Sequence, residues 1–385
     1  MTPIEIRHHL HQHPELAGCE VHTHDFIVGE LRKCRPAVIY EHVGAEPGNS
    51  SYGVVAVWGD VASGNHKPSA IAFRADIDAL PINETLALDY CSQVPHVGHK
   101  CGHDGHTAIL LRLAQLLGAR ADVRTAGCQS VVMVFQPEEE TGTGSKKILR
   151  SGILQQYDIR AIYGIHNLPG FLTNHVVLIR GTFAAASSGF IVRLYGRQTH
   201  ASTPEKGLNP GLAVADLIKR FDAFNAGHEA LDDTFCMSTL ICARVGEEAF
   251  GTSAGDGYVA FTLRAFSNKT IMELLQKAEE TVREVASLYG LQYETELREP
   301  FYATENDGAV VDALHKRCIR LELPANTVKV PFRWSEDFAD YLMQFPGAMF
   351  GIGAGRSHVE LHHPDYDFPD EIIEPTAQLF YKLIF

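Results

Sequence analysis

The sequence predicts an α/β fold: a layered catalytic domain around a central, mostly parallel sheet, with a smaller α+β domain inserted in it. Three observations carry that expectation. The chain has 385 residues, more than one ordinary core accommodates, so two domains are expected. Over the first 180 residues, short β-branched runs alternate with segments of helical spacing, as in layered strands and helices. Near residue 183 the texture changes, and the order β-α-β-β-α-β follows, the ferredoxin-like split pattern.

In chain order, apolar runs at 52–58, 70–74, 130–135, 159–165 and 175–179 predict strands. Between them, 104–117 has apolar residues at helical spacing and 145–150 predicts a short helix. Beyond 183, strands are expected at 190–195, 239–245, 258–265 and 292–297. Helices are expected at 210–224 and 268–288. Residues 183–295 therefore form the predicted insertion, and 1–182 with 296–385 the main domain. The last part predicts helices at 307–321 and 336–343, a strand at 348–352 and a helix from about 370.

Composition narrows the function classes. A net charge of −14 argues against nucleic acid and against anionic membrane surfaces. The first ten residues lack a basic stretch followed by an apolar core, so no signal peptide is expected. No apolar run approaches the roughly 20 residues that span a bilayer. Eight cysteines, at 19, 34, 91, 101, 128, 236, 242 and 318, lack the spacing of a disulfide framework. Reduced thiols and a cytoplasmic location are the expectation.

Chemistry concentrates in five places. The hexapeptide Cys101-Gly-His103-Asp-Gly-His106 gathers a thiol, two imidazoles and a carboxylate around two glycines. Sulfur with imidazole is a donor set for zinc or a similar divalent ion. Phe135-Gln-Pro-Glu138-Glu139-Glu140 follows a buried apolar run directly, and three adjacent carboxylates repel unless a cation relieves them. His166 closes another apolar run. His362 and His363 precede Pro364, which predicts extended backbone for the pair. Asp76 and Asp78 lie two apart and share a face if their strand persists. A surface histidine or a solvated acidic loop is the commoner fate of any one of these alone.

Taken in order, the motifs resemble the aminoacylase/carboxypeptidase family of dinuclear metallohydrolases. Within it they are similar to the hippurate hydrolase or N-acyl-amino-acid amidohydrolase branch, which includes plant auxin-conjugate hydrolases. The matching segments are His11-Gln-His-Pro-Glu15, Arg74-Ala-Asp-Ile-Asp-Ala-Leu-Pro81, His99-Lys-Cys-Gly-His-Asp-Gly-His106, Phe135 to Glu140, Gly164-Ile-His166, Gly196-Arg-Gln-Thr-His200-Ala-Ser-Thr-Pro204, Ser335-Glu-Asp-Phe338 and Leu361 to Phe368. The resemblance implies a zinc-peptidase-like main domain and an inserted lid that also forms a homodimer. It implies two divalent metal ions, such as zinc, manganese, nickel or cobalt, held by Cys101, His103, Glu140, His166 and His362. It further implies Glu139 as general base, Asp78 as the acid orienting a ligand histidine, and His200 as a donor to the developing oxyanion, often in the partner subunit's site. Arg264 would bind the substrate carboxylate. The implied activity is metal-dependent hydrolysis of N-acyl or N-aroyl amino acids. A metallo-carboxypeptidase or dipeptidase on the same site, or an inactive metal-binding protein of this fold, is the alternative. Adjacency alone does not aim Glu139; the backbone must turn, with Pro137 the candidate.

The sequence departs from the family pattern at several positions. Gly251 stands 13 residues before Arg264, where the family commonly has Asn that helps bind the carboxylate. Asn209 replaces a frequent Asp, Glu138 an Ala, and His363 a frequent Asn. Two rival chemistries are weaker. Gly251-Thr-Ser253-Ala-Gly255 has the Gly-x-Ser-x-Gly spacing, but a serine elbow needs a strand before it and a helix after it, and a strand is expected after it here. Cys101 with His103 could form a thiol pair, which alkylation would block and chelation would not.

Overall fold

A computed structural model describes residues 1–48, 50–120 and 129–385; Cys128 lies outside them. The chain divides into two compact units. One comprises Met1–Phe183, Glu305–Lys329 and Asp337–Phe385, the other Ala184–Thr304 and Val330–Glu336.

The first unit is built on one sheet, eight-stranded among the described residues. Its order is Val38–Val43, Gly53–Trp58, Ser130–Gln136, Ser69–Asp76, Asp158–Pro169, Gly347–Gly355, Val176–Leu178 and Ala325–Thr327. The four middle strands run parallel, and antiparallel pairs flank them. The strand Ser130–Gln136 is buried throughout. Such unbroken Val/Met/Phe runs are what a parallel strand covered on both faces requires.

Four helices pack together beside this sheet: Pro3–Gln12, Val21–Lys33, His103–Gly118 and Ile373–Ile384. The central one, His103–Gly118, is almost wholly buried. The two N-terminal helices were not among the sequence expectations. The first carried a legible signal: Thr2 and Glu5 form a capping box with Pro3 at the first helical position. The expected helix over 336–343 reduces to Ala339–Leu342.

The second unit is a four-stranded antiparallel sheet ordered Cys236–Val245, Asp256–Ala265, Ala186–Tyr195, Gln292–Phe301. The helices Gly211–Asp222 and Asn268–Tyr289 pack on it around Phe190, Phe221 and Phe261. This is the expected ferredoxin-like arrangement. The strand Gln292–Phe301 stays paired with Ala186–Tyr195 as far as Phe301 and Ser187, and this unit runs on to Thr304. Residues 330–336 also join this unit: the amide of Ala185 donates to the carbonyls of Phe332 and Trp334.

Candidate metal centre

The parallel strands of the first unit end on one side, and ligand sites in open α/β sheets form at such carboxyl ends. Asp76 is the last residue of its strand. Glu138, Glu139 and Glu140 follow Ser130–Gln136. His166 lies inside Asp158–Pro169 rather than closing it, because the strand runs three residues further. The helix His103–Gly118 starts at the same place, preceded by Gly102 at φ +97°. A Cβ on Gly102 would lie 2.5 Å from the side-chain oxygen of Asn167, so the turn after Cys101 needs glycine.

The side chains from these segments converge. Donor atoms of Cys101, His103 and His166 all lie within 4.8 Å of one another, and so do those of Cys101, Glu140 and His362. Cys101 is common to both groups. Its Sγ is 3.5 Å from Nε2 of His166. Glu140 Oε1 is 3.8 Å from Nε2 of His103 and 3.6 Å from Nε2 of His362. Glu139 Oε2 stands 3.9 Å from Nε2 of His103, and its Oε1 accepts from the amide of Asp337 at 3.4 Å. The five expected ligand residues and the expected base are therefore together. Cys101, His103, His166 and Glu139 are buried, whereas the His362 side chain is 51% exposed.

Outer contacts aim these groups. Nδ1 of His103 donates to the carbonyl and the Oδ1 of Asp78, at 3.0 and 3.2 Å, which leaves the Nε2 lone pair facing the cluster. The other oxygen of Asp78 accepts the amide of Glu140 at 3.0 Å. Nδ1 of His166 donates to the carbonyl of Asn167 at 2.9 Å. The amide of His362 donates to the carbonyl of Lys100 at 2.7 Å. The extended backbone expected before Pro364 does not hold at His362, which has φ +62°; the proline restricts only its immediate neighbour, His363.

A relay missing from the sequence reading lies behind the cluster. Arg74 Nη1 donates to Asp76 at 2.6 Å, and Asp76 accepts from Nδ1 of His106 at 2.6 Å. Nε2 of His106 lies 2.5 Å from Oδ1 of Asn167. Asp337 accepts from Arg74, Gln136 and the amide of Ser145. Its members sat in quoted motifs, Arg74 and Asp76 in one, His106, Gln136 and Asp337 in others, but nothing in their spacing linked them.

The electrostatics suit a cation. Nε2 of His103 and Oε1 of Glu140 are buried with no hydrogen-bond partner among the described residues, an arrangement that is costly unless something charged satisfies it. Burial lifts the Glu140 carboxyl to about 7, against the opposing pull of His103. Burial, then the charge of His106, lowers His166 to about 3, keeping its ring neutral as a ligand must be. Burial would lower His103 too, but Asp76 and Cys101 raise it well above the usual range. That surplus of negative groups, and a thiol, three imidazoles and a carboxylate as donors, fit borderline divalent ions.

His200 and Arg264 belong to the second unit. His200 is exposed on the short strand Thr199–His200, which pairs with Thr252–Ser253. Its Nδ1 accepts from the amide of Ser202 at 3.1 Å. Arg264 donates through Nη1 to the carbonyl of Arg333 and to Oγ of Ser335, at 2.8 and 2.9 Å. Ser253 ends the short strand Thr252–Ser253, accepts from Asn209 at 3.1 Å and is followed by the strand Asp256–Ala265 where an elbow needs a helix, so it forms no serine elbow.

Fold and centre together define a metal-dependent hydrolase of linear amides. The chain belongs to the Peptidase family M20/M25/M40, whose profile matches residues 72–385. It is 30% identical over 384 residues, 98% of this chain and 86% of the relative, to the N-acetyl-L-cysteine deacetylase of Bacillus subtilis. It is 28% identical over 390 residues to an uncharacterized hydrolase of Staphylococcus aureus, with 98% and 96% covered. Among solved structures it is similar to a dinuclear metal-binding peptidase of the M20 family from Bacillus subtilis, with TM-score 0.82, 26% identity and 99% and 96% covered.

Proposed function

We propose that this enzyme hydrolyses the amide of N-acyl or N-aroyl amino acids, releasing a carboxylic acid and an amino acid. The observation that carries the reading is the pair of donor groups sharing Cys101 with Glu139 beside them. The similarity to an N-acetyl-L-cysteine deacetylase supports an N-acyl amino acid as substrate, and the dinuclear peptidase supports a two-metal centre.

In this reading Cys101, His103, Glu140, His166 and His362 would hold two divalent ions, with zinc, manganese, nickel and cobalt the suitable candidates. Such a pair supplies Lewis acidity toward water and the amide carbonyl. Glu139 takes the proton of the attacking water and delivers it to the departing nitrogen. Asp78 keeps His103 and the Glu140 backbone in register. His200, with Nδ1 already accepting from Ser202, carries its proton on Nε2 in the neutral form and donates it to the developing oxyanion. Arg264 binds the substrate carboxylate.

The inserted unit acts as lid and homodimer interface. Its outer strand Cys236–Val245 exposes Leu240 and Ile241 and has an edge unpaired among the described residues, of the kind a second copy covers. A thiol mechanism is disfavoured: burial and the Glu140 charge raise the Cys101 thiol well above its ordinary range, the reverse of what a nucleophilic thiolate needs.

The test is a panel of N-acetyl, N-benzoyl and N-indoleacetyl amino acids, with dipeptides alongside, assayed with Mn²⁺ or Zn²⁺. Turnover of the N-acyl compounds that chelation abolishes is expected. Turnover of dipeptides alone would assign a peptidase instead.

A further inference from the structure

Only Pro137 and Glu138 separate Glu139 and Glu140 from the end of the strand Ser130–Gln136, yet both carboxylates reach one centre. The chain reverses at Glu138, which lies in the left-handed region at φ +56°. A residue with a side chain persists there only when its surroundings hold it. Its carboxylate accepts from Nζ of Lys147 at 2.6 Å and from Oγ1 of Thr143 at 2.7 Å. Its carbonyl accepts from the amide of Gly144 at 3.2 Å. Its amide donates to Oε1 of Glu20 at 2.9 Å.

Glu20 is the unexpected member. It is fully buried and occupies the N-cap position of the helix Val21–Lys33. A polar side chain there ordinarily accepts from the free amides of the first turn. The Glu20 side chain makes no such bond. Glu15 caps the helix in its stead, its two oxygens accepting from the amides of His22 and Thr23 at 3.1 and 2.8 Å. Glu20 is thereby released to reach a segment 118 residues away.

We propose that Glu20 is a positioning residue for the paired glutamates: it holds Glu138 in its left-handed turn and so sets where the carboxylates of Glu139 and Glu140 stand beside Cys101 and His103. The inference rests on Glu139 as base and Glu140 as ligand.

The experiment compares Glu20→Ala, Glu20→Asp, Glu20→Gln and Glu139→Gln. It measures kcat and KM on an N-acetyl amino acid with Mn²⁺, Mn²⁺ affinity of the stripped protein by calorimetry, and melting temperature. Glu20→Ala is expected to lower kcat roughly 10–100-fold and to weaken Mn²⁺ binding about tenfold, the usual cost of losing an outer contact of a metal site, with KM within about threefold. Glu20→Gln keeps an acceptor oxygen at the same reach and should recover kcat to within about threefold. Glu20→Asp, one methylene shorter, should lose activity while remaining folded, and it serves where Glu20→Ala does not fold. Unimpaired kcat in folded Glu20→Ala or Glu20→Asp overturns the inference, as does a folded Glu20→Gln no better than Glu20→Ala. Retained turnover in Glu139→Gln overturns the base assignment itself. An inactive Glu139→Gln beside an unimpaired Glu20→Ala overturns only the positioning role.

Discussion

Glu139 is separated from Nε2 of His103 by 3.9 Å, close enough to serve the centre while Glu140 faces His103 and His362. Replacing it by glutamine keeps the shape and removes the proposed base. Glu139→Gln should bind Mn²⁺ with unchanged stoichiometry and lose on the order of 10³-fold in kcat; turnover within tenfold of wild type would remove Glu139 from the mechanism. Gly251 poses a different question, because the resemblance implies at that position an asparagine that helps bind the substrate carboxylate. Its carbonyl accepts the amide of Ala201 beside His200, and an added Cβ meets nothing within 4 Å. Gly251→Asn is therefore sterically open. It should lower KM several-fold for N-acyl amino acids and leave the KM of the corresponding amides, which lack the carboxylate, unchanged. An equal change for both would mean that position 251 does not read the carboxylate.

At the scale of elements, the N-terminal helix is fastened by buried charge to segments that flank the candidate metal centre. Arg7 donates to Asp367 at 2.8 Å, and His11 lies 2.8 Å from Asp104 and 3.0 Å from Glu84. Lys100, also buried, donates to Glu84 at 2.6 Å and to the carbonyl of Tyr366 at 2.8 Å. Burial would lower the pKa of His11, but Asp104 and Glu84 raise it to about 9. A raised histidine stabilises the fold fully below its unfolded pKa of about 6.5 and loses that contribution as pH climbs through about 9. The stake is about 3 kcal/mol at about 1.4 kcal/mol per unit. Wild-type stability should therefore decline between pH 6.5 and 9, and His11→Gln should flatten that decline; parallel curves for the two proteins would contradict it. The helix itself was readable from Thr2-Pro3-Ile-Glu5, whereas its ionic partners, up to 360 residues distant, were not.

In the proposed assembly the whole molecule depends on its cations and on a second copy. Ions that bind only the folded state stabilise it in proportion to the logarithm of their concentration over Kd. Chelation should abolish turnover and lower the melting temperature by several degrees, with Mn²⁺ restoring both. Unchanged melting after verified metal removal would deny that the centre is filled in the active protein. Ile241→Asp, on the exposed edge strand, should shift sedimentation from dimer to monomer. If His200 serves the partner subunit's site, the same change should depress kcat; a fully active monomer would remove that role.

The order of motifs along the chain determined the family, the layered fold and the residues that converge, because each motif carries its own chemistry and each strand or helix its own periodicity. What the tertiary structure alone decided was aim. Glu138 and His362 adopt left-handed backbone that neither Pro137 nor Pro364 imposes. The strand Gln292–Phe301 keeps its pairing beyond the expected boundary. Glu20 abandons its own helix for Glu138 because Glu15 has taken its place. Such choices depend on which partners remain for a buried polar group once the core has closed, and distant partners leave no period or spacing in the sequence to read.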